Sequence, residues 1–247
     1  KQKNDRLEIE QSIELLKTSF FSLDLIENLI NLITNWYLKL RPVDLENWEN
    51  EPEDWFNEEA SLDWEFQIRK CAENYFQDLS IHFSEFISQF IMSKIENLNT
   101  GQLDSITKDS ILSIFELSSN SISKSCNFNQ LLIEYFIPQA LSTDNSLNSK
   151  LIKRRVCLII NEWLDVKIEP NVRIEIYKFL LTLVSEPEND KVVKLTSIQT
   201  LKYMLDDWEF RKGDFRPFID ENVKHLLMVL DSLETIESKI FTLNTMS

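Results

Sequence analysis

Glycine is almost missing from this chain: Gly101 and Gly213 are the only two in 247 residues. Phosphate-cradling loops, dinucleotide fingerprints and nucleophile elbows each need closely spaced glycines for close backbone approach or positive φ, so none of those motifs can exist here. All-β sandwiches and barrels also draw on glycine at turns and bulges, and six prolines do little to replace it. Histidine is nearly as scarce, with only His82 and His225. The three cysteines, Cys71, Cys126 and Cys157, are odd in number and far apart. That pattern suits buried thiols in a reducing compartment better than disulfides or clustered metal ligands. No cofactor or metal is expected. No apolar run approaches the roughly 18 residues of a membrane span, and Lys1 to Glu10 contain neither an apolar signal core nor a cleavage site. A soluble, unsecreted protein is expected, and the polar opening at Lys1 reads as a piece of a longer chain.

Basic residues are outnumbered, 26 against 41 acidic, for a net charge of −15. Such a field repels phosphate backbones and anionic membranes and steers basic proteins toward the surface, so neither nucleic acid nor membrane is expected as a direct partner. Hydrophobic residues make up 43% of the chain and include sixteen phenylalanines, too much apolar surface for a disordered acidic tail.

What is abundant is helical periodicity. Ile26, Leu29, Ile30, Ile33, Trp36, Tyr37 and Leu40 fall at three- and four-residue steps and predict one core-facing stripe. The spacing returns in Phe83, Phe86, Ile87, Phe90, Ile91, Ile95 and Leu98, in Val172, Ile176, Phe179, Leu180 and Leu183, and in Ile219, Val223, Leu226, Leu230 and Leu233. Gly101 follows a helix, Pro170 opens one, and Asn189 or Asp190 caps another. First helices of successive pairs are expected near Leu62, Asp104, Leu147, Glu188 and Thr235, separated by roughly 41 to 47 residues, the period of HEAT or armadillo units. Sequence phasing is weak: Ile111, Ile114 and Phe115 match Val156, Ile159 and Ile160, but Glu162 falls where an apolar residue is expected. The expected fold is an all-α HEAT-repeat α-solenoid of stacked antiparallel helix pairs. Residues 1–247 would form one continuous right-handed array of five to six repeats, each stabilised by its neighbours.

One stretch departs from the rhythm. Residues 41–61 read as a long acidic inter-helix loop carrying Asp44, Glu46, Glu49, Glu51, Glu53, Asp54, Glu58 and Glu59 with no basic residue after Arg41. Trp48, Trp55 and Phe56 are interleaved around Pro52. Solvent-screened repulsion between like charges costs about 1 kcal/mol or less per pair, whereas burying a tryptophan of ~200 Å² returns up to about 5 kcal/mol. The aromatics are therefore expected to pin the loop while the carboxylates face outward. The loop is either a partner-contact site or a solvated connector. Lys150, Lys153, Arg154 and Arg155 form the dense basic cluster. They either contact an acidic partner or bridge repeats, for instance through Asp206, Asp207 or Glu209, and the bridging role is the favoured one. Cys71, His82 and His225 read as packing residues, as do Trp163, Trp208 and the phenylalanine stripes, a few of which could line shallow grooves between outer helices.

The stretch Trp48-Glu49-Asn50-Glu51-Pro52-Glu53-Asp54-Trp55-Phe56 resembles the W-x-x-[D/E]-P-x-[acid]-[aromatic]-[F/I] segment of importin-β-like transport receptors. Three further pieces are similar in order and spacing to importin-11-type karyopherins: Trp64 to Glu73, Ile152 to Val156 leading to Trp163, and Asp206 to Arg211. Together they cover about four fifths of the chain. The resemblance implies the middle of a HEAT superhelix that binds protein cargo with a basic surface and Ran in its GTP form. It also implies passage through nuclear pores by contact with FG nucleoporins, and movement between nucleus and cytoplasm. It further implies that Ran and cargo lie on concave second helices, that nucleoporin phenylalanines lie between convex first helices, and that the principal Ran site is nearer the N-terminus. No enzymatic step is expected. The alternative is a HEAT scaffold of a phosphatase or chromosome-associated assembly without a transport role.

Overall fold

The computed structural model describes residues 2–60, 67–99, 103–141, 146–166 and 168–246, and among them no strand occurs. Helix α1 (Gln2–Leu15) runs into a wide π-turn at Leu16–Phe20, and α2 (Leu23–Leu32) into another at Ile33–Tyr37. A short acidic pair follows, α3 (Pro42–Asn50) and α4 (Pro52–Ala60). Then come α5 (Ile68–His82), α6 (Ser84–Glu96), α7 (Ser105–Leu117), the short α8 (Ser119–Ile122), α9 (Phe128–Leu131) and α10 (Ile137–Leu141), and α11 (Leu147–Glu162). The chain closes with α12 (Pro170–Ser185), α13 (Lys191–Asp206), short α14 (Lys212–Phe215), α15 (Ile219–Ser232) and α16 (Ile236–Met246). No described helix is long and apolar enough to cross a membrane.

Four of the five predicted helix starts lie within three residues of an observed one, at α7, α11, α13 and α16. The fifth, near Leu62, falls outside the described residues, as does Gly101. Side-chain caps explain the precision: Asp104 accepts from the Thr107 amide at 2.9 Å, and Asp190 accepts from the Val193 amide at 3.0 Å. Pro170 occupies the first turn of α12, where its missing N–H leaves nothing unpaired.

The helices stack in two layers. α5, α7, α11, α13 and α16 are neighbours in that order, while α6 packs on α5 and α7, α12 on α13, and α15 on α12 and α16. A buried cluster runs from Ile26 to Phe215. Trp163 forms its centre, stacked between Phe115 at 4.8 Å and Phe128 at 4.5 Å. A smaller cluster gathers Val184, Leu195, Ile198 and Leu226 around Phe56 of α4.

The stripe from Ile219 to Leu233 is buried at Leu226 and Leu233 and half-buried at Leu230, but Ile219 and Val223 are exposed. Two further local expectations fail for identifiable reasons. Trp36 is 75% exposed and Tyr37 is also exposed, although both lie on the predicted stripe. The Leu38 amide donates to the Ile33 carbonyl five residues back, so the turn holds an extra residue and everything beyond it is rotated by about 100°. Leu38 is buried instead. Residues 41–61 are no loop: 42–50 and 52–60 are helical. Pro42 and Pro52 sit in first turns rather than breaking structure, and Asp44, Glu53 and Asp54 place negative charge where the helix dipole favours it.

Candidate functional site

The acidic hairpin α3–α4 lies across the face of α13 and α16 and reaches α11 through side chains. Trp48, Trp55 and Phe56 are buried beneath it. Trp48 and Trp55 pack at 4.7 Å, the Trp48 indole N–H donates to Asp190 at 2.8 Å, and Phe56 meets Phe241 at 5.6 Å. Not all the carboxylates face outward. Glu46, Glu49, Glu51, Asp54 and Glu58 are exposed, but Asp44 and Glu53 are buried and Glu59 is half-buried.

Those three inward acids each meet donors. Asp44 accepts from the backbone and guanidinium of Arg41 and faces Arg69 at 3.7 Å. Glu59 joins Arg69 at 3.1 Å to Arg154 at 3.2 Å. Glu53, 4% exposed, accepts from Lys191 at 2.6 Å, from the Glu234 and Thr235 amides at 2.9 and 2.8 Å, and from the Thr235 hydroxyl at 2.8 Å. It thereby caps α16 from a residue about 180 positions earlier. Burial alone would raise its pKa, but Lys191 and the amides outweigh that and pull it down to about 2.

The basic cluster is spent inside the fold, with partners other than those expected. Lys150 pairs with Asp190 at 3.4 Å and Lys153 donates to Asn189 at 2.9 Å. Arg154 lies over Trp55 at 4.7 Å while paired with Glu59. Arg155 forks onto Asp109 at 2.7 and 3.0 Å and reaches Glu116 at 2.5 Å. Desolvation would lower its pKa, but these two acids hold it well above the usual guanidinium value. Asp207 and Glu209 instead serve Arg173 of α12, and Asp206 serves Lys202. Apart from Lys202–Asp206, an i,i+4 pair on α13, sequence spacing could not select these pairs, because each partner arrives from a different segment.

Below the end of α4 a groove of 760 Å³ opens along α11, walled by α5 on one side and the C-terminal part of α13 on the other. It opens on the layer of α5, α7, α11 and α13, the helices that the sequence reading numbers first in each pair. Glu73, Glu116, Glu162, Asp165 and Asp206 line it, and Tyr203 and Trp208 stand on its rim. Trp208, 86% exposed, is no core residue: the turn after α13 projects it outward. Glu162, which broke the apolar phasing, faces this groove. Desolvation by the walls, then Glu116, Asp165 and Glu73, push its carboxyl up to about 7. Neither Glu162 nor Asp165 forms an ion pair among the described residues. A second hollow, apolar and 430 Å³, lies between the Ile33 turn and α5, lined by Leu29, Leu32, Tyr37, Ile68, Cys71 and Tyr75. Sequence reading missed both, because neither is local in the chain; the exposed aromatic beside Asp206-Asp207 was the available signal.

Other candidates resolve simply. Cys157 is buried, with its thiol pushed up to about 12 by desolvation, and Cys126 is half-buried, at about 11. Cys71 and His82 are exposed rather than packed, and His225 is half-buried. Among the described residues no group of three or more His, Cys, Asp or Glu could hold a metal ion.

No family model matches the chain. It is 42% identical over 254 residues to importin beta-like protein KAP120 of Saccharomyces cerevisiae, covering all of this chain and 24% of the relative. It is 26% identical to importin beta-like protein kap113 of Schizosaccharomyces pombe and 24% identical to human importin-11, covering 93% and 94% of this chain and 24% of each relative. Among solved structures, Lph2, described as a bidirectional nuclear transport receptor of S. cerevisiae, matches with a TM-score of 0.84 at 42% identity, over 95% of this chain and 24% of that one. The chain thus spans about a quarter of the length of these relatives. The fold is a HEAT-repeat α-solenoid.

Proposed function

The homologues of this chain are importin-β-like proteins, and from that premise we propose that it is a segment of a nuclear transport receptor that carries protein cargo between nucleus and cytoplasm. The observation that carries this reading is end-to-end similarity: 42% identity along the chain together with a shared helical path over 95% of it. A different repeat count would have broken that correspondence.

The work is done by reversible surface contact, not covalent chemistry. The outward carboxylates Glu46, Glu49, Glu51, Asp54 and Glu58 offer a negative face to a basic cargo or to Ran in its GTP form, within a net charge of −15 that steers such partners inward. Asp44, Glu53 and Glu59 serve the architecture and leave this contact set, as do Lys150, Lys153 and Arg155 and the anchors Trp48, Trp55 and Phe56. The apolar hollow beside Ile68 and Tyr75 is sized for phenylalanine side chains of FG nucleoporins.

Binding of the full-length protein that contains this segment to Ran loaded with a non-hydrolysable GTP analogue or with GDP tests the reading. Preference for the GTP form supports it. Equal binding to both forms, or to neither, removes the transport role and leaves a HEAT scaffold of another assembly.

A further inference from the structure

We infer that the groove along α11 binds an extended polypeptide segment and seats one of its lysine or arginine side chains between Glu162 and Asp165. This deepens the transport reading by locating a cargo-contact surface on the first-helix layer, not on the second helices where the resemblance implies cargo, and it rests on that reading only for the word cargo.

Two independent features point to a peptide rather than to any cation. Arg154, 5% exposed, has a buried Nη1 with no acceptor, and the Oδ1 of Asn161 is buried with no donor. Both residues line the groove. They are seven residues apart on α11, so they share a face and lie about 10 Å apart along the axis. Three residues of extended chain span about 10 Å and present carbonyls and N–H groups at both ends. A peptide main chain can therefore satisfy an orphan donor and an orphan acceptor together, which a free amine cannot. The groove volume of 760 Å³ suits a few residues.

Charge selects the side chain. Around Glu162 stand Glu73 and Lys70 of α5, Glu116 of α7, Arg155 of α11, Asp165 beyond its end, and Asp206 of α13. Glu73, Glu116 and Asp206 already have cations. Glu162 and Asp165 do not, so an incoming cation relieves their mutual repulsion without breaking an existing pair. The exposed ring of Trp208 on the rim covers an aliphatic stem or a guanidinium.

The test uses a fluorescein-labelled eight-residue peptide of alternating lysine and serine, followed by anisotropy at low salt. E162Q/D165N is expected to weaken binding tenfold or more, and D231N/E237Q, an equal charge change on α15 and α16, by less than twofold. Because the surrounding acids push the Glu162 carboxyl up, wild-type affinity is expected to rise from pH 6 to pH 8, and E162Q to flatten that profile. Unlabelled peptide displaces the probe, while spermine at equal charge displaces it poorly. Equal weakening by both double variants, no weakening by E162Q/D165N, a pH profile unchanged in E162Q, or displacement by spermine as effective as by peptide overturns the inference. Melting curves confirm that each variant is folded. Peptide binding without Ran discrimination by the full-length protein would sink the transport reading and leave the groove; Ran discrimination without peptide binding would do the reverse.

Discussion

The acidic hairpin and the α11 groove contain the same chemical group in opposite circumstances. Glu53 of the hairpin and Glu162 of the groove are both glutamates desolvated by neighbours, yet one carboxyl is pulled down to about 2 and the other pushed up to about 7. Glu53 meets Lys191, two amides and a hydroxyl; Glu162 meets Glu116, Asp165 and Glu73. Burial with donors turns an acid into a structural clamp, whereas the crowding of acids around the solvent-exposed Glu162 leaves an unfilled demand for a cation. In a chain with 41 acidic residues, net charge says nothing about which circumstance holds at a given position.

The largest test of this contrast is the central fork. Replacing Arg155 with Met strands Asp109 and Glu116 in the core, and a loss of about 3–5 kcal/mol is expected in urea denaturation. A loss below about 1 kcal/mol would mean that buried acids here do not depend on their cations. Next, Glu53→Ala should cost about 3 kcal/mol and strip hydrogen-exchange protection from α16 before other helices. Because the folded pKa of Glu53 is depressed, its contribution is present above its unfolded pKa near 4.5 and fades as pH falls toward 2. The gap between wild type and the variant should close over that window.

Glu162→Gln should move stability the other way, by up to about 1 kcal/mol after solvent screening. Its folded pKa is raised, so the ionised form is a penalty at pH 8 that disappears as pH drops through 7 toward 4.5. Thermal melts at pH 8 and pH 5 separate the two cases, and a destabilised variant at pH 8 would erase the contrast with Glu53. The smallest effect belongs to Trp208→Ala, within about 0.5 kcal/mol, since its ring is exposed. A larger loss in the same melts would return Trp208 to the core.

Much of the fold was legible because helical periodicity and capping are local. Asp104, Pro170 and Asp190 punctuate helices through bonds to residues three or four positions away, and the stripe from Val172 to Leu183 is buried at every position. The failures share one cause. A single π-turn at Ile33–Tyr37 rotated Trp36 and Tyr37 into solvent, and prolines that punctuate loops elsewhere opened α3 and α4 instead. Those choices depend on what the helix packs against.

The candidate site was legible only in composition. Glu49, Glu53 and Glu59 look alike in an acidic run, and Lys153, Arg154 and Arg155 look alike in a basic one. Amino-acid order by itself determined an all-helical chain, its repeat spacing, its surplus of negative charge and the aromatic anchors at Trp48, Trp55 and Phe56. Tertiary structure alone decided which carboxylates met cations and which were left facing one another. Helix formation is set by neighbours within a few positions, but the ionisation and partnership of a side chain are set mostly by atoms tens to nearly two hundred residues away, brought close only when the helices stack.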